Sequence, residues 1–185
     1  MDGGMGPWKT ISAAFIVMFL IWAPLKAVGA ESAFKCGAIP CDEFTANLSD
    51  KASLQNGAKL FVNSCMGCHS AKYSRWDRVA RDLGIPPDIA KDNLIHADQK
   101  FGALMDISMP ADKAKAWFGA TPPDLTLVAR SHPPEWLYTY LRNFYSDPSR
   151  PLGVNNKVFK DVGMPHVLLE LQGLQECAPG PVLAA

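Results

Sequence analysis

A mainly α-helical fold with long irregular loops is the architecture this sequence predicts, and three features predict it. Fifteen prolines and fourteen glycines among 185 residues argue for long connections between a few regular elements. Apolar residues recur at helical spacing before Cys65 and again after Pro134. With 48% hydrophobic and 19% charged residues, the chain is too apolar for disorder. Eighteen Lys and Arg balance eighteen Asp and Glu, so nothing supports a nucleic-acid binder.

Met1 to Ala30 reads as a leader and stands outside the fold. Lys9 precedes an apolar run of fifteen residues, Ile11 to Leu25. A membrane-spanning helix needs roughly 20. Pro24 and Lys26 stop the run, and Ala27-Val28-Gly29-Ala30 ends on a small residue. This is the layout of a secretory signal cleaved after Ala30, with an uncleaved N-terminal anchor as the alternative. Either arrangement exports the remaining 155 residues, which stay close to neutral.

Residues 31–47 are expected to form a flexible arm. Within it, Cys36 and Cys41 flank Gly37-Ala38-Ile39-Pro40. In an oxidising compartment they could close a small disulfide loop; two unconnected thiols are the alternative.

A helix follows. Asp50 offers an N-cap, and Leu54, Gly57, Ala58 and Phe61 recur at helical spacing up to Cys65. Gly57 and Phe61 are expected on its buried face. Glycine inside a helix costs about 1 kcal/mol against alanine, so Gly57 points to close packing or to a tolerated weakness.

Cys65-Met66-Gly67-Cys68-His69 is a C-x-x-C-H sequence, the pattern of covalent c-type haem attachment. Two thiols at this spacing can form thioethers along one haem edge, and the adjacent imidazole supplies an axial nitrogen to the iron. C-x-x-C also occurs in redox dithiols and zinc sites. The sequence holds no second C-x-x-C or H-x-x-x-H to complete a zinc site.

A six-coordinate haem needs a second axial ligand. Met66 lies inside the attachment loop and cannot reach across the ring. Met164 stands in Gly163-Met164-Pro165, where glycine permits an unusual turn and proline stiffens it. Met105 and Met109, spaced four apart, are expected in the core. His96, His132 and His166 are expected as surface or haem-edge residues.

Further along, Pro133-Pro134 suits a helical first turn, and Trp136, Leu137, Tyr140, Leu141 and Phe144 form one apolar face. Asp147-Pro148 is expected to end that helix.

These blocks together resemble the cytochrome c1 family, the haem subunit of the quinol–cytochrome c reductase (bc1) complex. The similar segments are Ala58 to Ser70, Trp117 to Thr126, Glu135 to Arg142, Asp147 to Pro151 and Val158 to Gly173. The resemblance implies a c-type cytochrome fold over 48–173 with one covalent haem c. It implies that Cys65 and Cys68 hold the haem and that His69 and Met164 ligate its iron. It implies that the Pro122-Pro123 loop packs on the His69 side, where a backbone carbonyl can accept the other imidazole N–H. Arg130 becomes a candidate partner for a haem propionate, with a solvated surface arginine as the alternative. The implied function is one-electron transfer from a Rieske iron–sulfur protein to a soluble cytochrome c, with cytochrome b as neighbour, at the periplasmic face of the inner membrane.

The similarity stops at Gly173. Family members continue into a further helix and a transmembrane anchor, and residues 174–185, interrupted by Pro179 and Pro181 and carrying Cys177, are expected to supply neither. A shortened form is the expectation; a chain that is soluble or held by its N-terminal segment is the alternative. Rival functions are a haem enzyme or gas sensor with an open axial site, and a remnant without haem.

Overall fold

The computed structural model describes residues 35–96 and 98–176. The leader, Cys177 and the last part of the tail lie outside the described residues. Helices dominate the regular structure, as expected, and two short antiparallel pairs of strands join them.

Helix α1 (Lys51–Leu60) starts where the Asp50 side chain accepts a hydrogen bond from Ser53 N at 3.1 Å. It runs into a π-helical turn (Phe61–Cys65), in which Met66 N donates to the Phe61 carbonyl at 3.0 Å. The expected buried face of α1 is only partly covered among the described residues: Leu54 and Ala58 are half-buried, but Gly57 is exposed, and a Cβ there would meet no atom within 4 Å. Phe61, in the π turn, does pack against the core.

Strand β1 (Ala71–Arg75) pairs with β2 (Leu104–Met105), with Ala71 opposite Met105. Between them lie α2 (Trp76–Leu83) and α3 (Pro87–Asn93). Gly84 ends α2 in the left-handed region, φ 70°, which glycine adopts without strain. Two side chains of α1 satisfy carbonyls at that end: Lys51 Nζ reaches Asp82 O at 2.6 Å, and Gln55 Nε2 reaches Leu83 O at 2.9 Å. Val62, Ala71, Trp76, Leu94 and Met105 form the first buried cluster. Met105 is thus core, as expected. Met109 is not: the segment is a strand followed by extended chain, since Pro110 disfavours helix at the residue before it. Met109 is half-buried beside an open cavity.

Helices α4 (Ala111–Phe118) and α5 (Val128–Ser131) flank the proline loop, and α6 (Pro134–Arg142) follows. The apolar helix was expected to reach Asp147, but α6 ends at Arg142. Asn143 Nδ2 takes the Thr139 carbonyl at 2.8 Å, the backbone leaves the helical region, and Phe144 opens strand β3 (Phe144–Ser146). Its partner is β4 (Val154–Asn156). Phe144, Val154 and Val162 form a second buried cluster, with Tyr140 and Met164 packed against it. A last helical turn, α7, spans Leu169–Gln172.

The arm expected to be flexible is fastened to α6 between Cys36 and Phe44. Cys36 and Cys41 are disulfide-bonded, and Gly37, at φ 64°, lies so close to Val158 that a Cβ would strike its carbonyl oxygen. Asp42 N donates to Thr139 Oγ1 at 2.8 Å, Arg142 pairs with Asp42 at 2.9 Å, and Phe44 stacks on Tyr138. Polar bonds to residues distant in the chain hold what apolar content alone would not. No helix among the described residues is long and apolar enough to cross a membrane.

Thr139 is fully buried, and its hydroxyl also donates to Glu135 O at 2.6 Å. Thr139→Val leaves the Asp42 amide without its acceptor and should cost about 1–3 kcal/mol. Urea unfolding midpoints measure this; Thr139→Ser should retain most of the stability.

Candidate functional site

The π turn delivers Cys65, and the chain then coils tightly. Cys68 N and His69 N both donate to the Cys65 carbonyl, at 3.1 and 2.9 Å, so both thiols and the imidazole sit on one helical turn. Cys65 and Cys68 are free, half-buried thiols. Burial, and then the neighbouring Cys68, push the Cys65 thiol above its ordinary 9.0. Met66 packs on the first buried cluster, away from any ligand role.

His69 Nδ1 lies 2.7 Å from the Pro123 carbonyl oxygen. A carbonyl can only accept, so Nδ1 carries a proton, and in the neutral ring that tautomer places the lone pair on Nε2. Pro122 and Pro123 hold that carbonyl on a stiff loop.

The same loop is laced to the strand after His69. Leu125 N donates to Ser70 O at 2.8 Å, Lys72 N to Asp124 Oδ2 at 2.8 Å, and Tyr73 N to Thr126 Oγ1 at 3.3 Å. Asp124 Oδ1 also accepts from Thr126 N at 3.0 Å. Burial opposes ionisation of Asp124, but the Lys72 amide, the Thr126 donors and the Lys72 charge outweigh it and hold the carboxyl below its ordinary 3.8. On the other side, Ser70 Oγ donates to Asp106 Oδ1 and accepts from Ile107 N. Beyond that runs an open cavity of about 460 Å³, lined in part by Met66, Gly67, Trp76, Ile107 and Met109.

Met164 is half-buried on an irregular loop, packed on the second cluster. Tyr140 donates to its Sδ at 3.3 Å. Burial pushes the Tyr140 phenol up to about 12. Gly163 passes close to the Phe118 carbonyl, where a Cβ would stand 3.3 Å away.

The remaining candidates are scattered. Arg130 is exposed on α5, with no ion pair among the described residues. His132 is half-buried and meets the Trp136 ring at a tilt, centroids 4.3 Å apart. His96 is exposed. The surface alternative for His166 is corrected: it is buried, stacked on Phe144 at 5.0 Å, with Nε2 3.3 Å from Gly173 O. Sequence reasoning missed Asp124 and Thr126, whose polar side chains in a Pro-Asp-Leu-Thr loop gave only a turn signal, and Ser70, which directly follows His69.

A turn with two free thiols, an imidazole oriented through Nδ1 by a backbone carbonyl, and a thioether on an irregular loop suit a protein that carries covalent haem. Residues 42–173 match the family model described as the cytochrome C1 family. This chain belongs to the cytochrome c1 family, and covalently held haem c with its iron is the cofactor that membership brings. The chain is similar to the cytochrome c1 of Allochromatium vinosum, 47% identical over 166 residues, which cover 90% of this chain and 66% of that protein. It is also similar to a protein named ammonia monooxygenase gamma subunit of Nitrosomonas europaea, 43% identical over 166 residues, covering 90% of this chain and 68% of that one. The cytochrome c1 of Rhodospirillum rubrum is 27% identical over 157 residues, covering 73% of this chain and 57% of its own.

Two measurements check the site. In the haem-free chain, Cys65 should alkylate more slowly at pH 8 than in the urea-unfolded chain, because a raised pKa leaves less thiolate; equal rates would remove the burial argument. Asp124, with its folded pKa lowered, contributes stability above the ordinary carboxylate range and loses it as pH falls through the lowered value. Asp124→Asn should therefore show a weaker loss of stability between pH 6 and pH 2, read from urea midpoints.

Proposed function

We propose that this chain is the haem-bearing electron carrier of a quinol–cytochrome c reductase. In this reading it receives electrons from a Rieske iron–sulfur protein and passes them to a soluble cytochrome c. Cytochrome b is its neighbour, and the domain stands on the periplasmic face of the inner membrane. The observation that carries the reading is the His69 Nδ1 to Pro123 carbonyl bond, which fixes the ring and directs Nε2 away from that carbonyl, beside two free thiols.

Haem c, when bound, supplies a reversible one-electron change with no bond to substrate made. The chain's residues supply the rest. Cys65 and Cys68 would hold the group covalently, and His69 Nε2 and Met164 Sδ would ligate its iron. Filling both axial positions would limit rearrangement between redox states and leave no place for oxygen. The Pro123 carbonyl fixes the imidazole tautomer and raises its basicity. Pro122 and Pro123 would pack on the His69 side, and Arg130 would be available to a propionate.

A pyridine haemochrome assay on the exported protein should find covalent haem, with yield falling sharply in Cys65→Ser and Cys68→Ser. The oxidised protein should show the weak far-red band of thioether-bound ferric haem, and Met164→Leu should lose it. High-spin features and carbon monoxide binding in the unaltered protein would instead indicate an open axial position and overturn the His69/Met164 assignment.

A further inference from the structure

One short stretch of the N-terminal arm grips two distant parts of the chain. At one end, Cys36 is fully buried, and Gly37, at φ 64°, seats its backbone against residues 157 and 158. A Cβ on Gly37 would strike the Val158 carbonyl oxygen and stand 2.9 Å from that of Lys157, so only glycine fits there. At the other end, Asp42 N donates to Thr139 Oγ1 at 2.8 Å, and the Asp42 carboxylate accepts from Arg142 at 2.9 Å. Phe44 stacks on Tyr138 with centroids 4.9 Å apart, and the Arg142 guanidinium lies over the same ring at 4.9 Å.

The Cys36–Cys41 bond joins these two footholds, since Cys36 adjoins Gly37 and Cys41 adjoins Asp42. Ile39 N donates to the Cys36 carbonyl at 3.2 Å and closes the loop further. The end of β4 is also bonded directly to α6 and the residue after it. Asn156 Nδ2 reaches Tyr140 O at 2.8 Å, and Lys157 N reaches Asn143 O at 3.2 Å. The arm acts just beyond those bonds, at Val158, where the chain leaves β4 for the Met164 loop. Six residues later comes Met164, packed with Val162 in the second cluster.

We propose that the disulfide-closed arm is a clasp that positions the Met164 loop against α6. The proposal rests on Met164 being an axial ligand. The clasp residues act through residues 158–164, limiting how far the thioether can withdraw from a metal bound there, and touch no cofactor themselves.

The test uses the haem-loaded full chain and three variants. Cys36→Ser/Cys41→Ser opens the loop and leaves no stray thiol. Gly37→Ala keeps the disulfide but lifts the loop from Val158. Ala80→Gly, at a buried position of α2, lowers stability away from the clasp. All three are expected to keep covalent haem. In both clasp variants the weak far-red band of the oxidised protein should fade. The fraction of reduced protein that binds carbon monoxide should rise roughly tenfold, part of the constraint that closing a short loop places on a chain. Ala80→Gly should match the unaltered protein in both readouts.

Unchanged band and carbon monoxide binding in the clasp variants overturn the proposal alone. So does an equal change in Ala80→Gly, which makes the arm a general stabiliser. A change confined to one clasp variant breaks the route through Val158 and overturns it as well. Absence of the band in the unaltered protein overturns the ligand assignment and this proposal together. If Cys36→Ser/Cys41→Ser does not fold, Gly37→Ala decides by itself.

Discussion

Four contacts lace residues 69–73 to residues 123–126, and the arrangement of the site depends on them. Two of them use strand amides, one uses the Ser70 carbonyl just before the strand, and one uses the His69 ring. Backbone groups of an isolated five-residue strand would otherwise turn to water, since β2 offers only two residues as a partner. The Pro-Pro-Asp-Leu-Thr loop takes the place of a further strand. It accepts Lys72 N on a carboxylate and Tyr73 N on a hydroxyl, and gives Leu125 N to Ser70. The loop is therefore held by the strand it supports, and the Pro123 carbonyl reaches His69 as part of the same lacing. An imidazole that must present one particular nitrogen gains more from a fixed acceptor than from burial, because burial alone does not choose the tautomer.

The apolar interior is divided. Val62, Trp76 and Met105 belong to one cluster, Phe144, Val154 and Val162 to another. His69 follows from the first and Met164 is packed on the second. A haem held by His69 and Met164, as proposed, would set its apolar faces against residues of both clusters. Buried area of this kind is worth about 25 cal/mol per Å². A ring system coordinated from both halves would tie their stabilities together.

How much of this was legible in the sequence varied with the kind of signal. The C-x-x-C-H motif, the Asp50 cap and the Gly-Met-Pro loop are local patterns, and the residues sit in the turns their chemistry suggests. The hairpins were not legible. Phe144 fits the apolar face of α6 by spacing, yet Asn143 bonds back to Thr139 and turns the chain into β3. Met109 matches Met105 at helical spacing, but Pro110 keeps the segment extended. The arm at 35–44 looked mobile because it is short and polar; its attachments to Thr139 and Arg142 lie about a hundred residues away in the chain, beyond any local pattern. His166 next to Met164 read as an edge residue, because its stacking partner arrives from a distant strand.

The π turn at Phe61–Cys65 separates two problems that a continuous helix would couple. In a regular α-helix each residue adds about 100° of rotation, so the face that α1 presents would dictate where the thiols point. The wider turn absorbs an added residue and resets the rotational phase. The exposed flank bearing Gly57 and the attachment turn bearing Cys65, Cys68 and His69 can then be oriented independently. Removing a single residue from this stretch would restore phase continuity and swing the thiol pair about a quarter-turn around the helix axis, with every residue of the motif still present. Alignment of the motif letters alone would not register such a change; the length of the segment before Cys65 is itself part of the attachment signal.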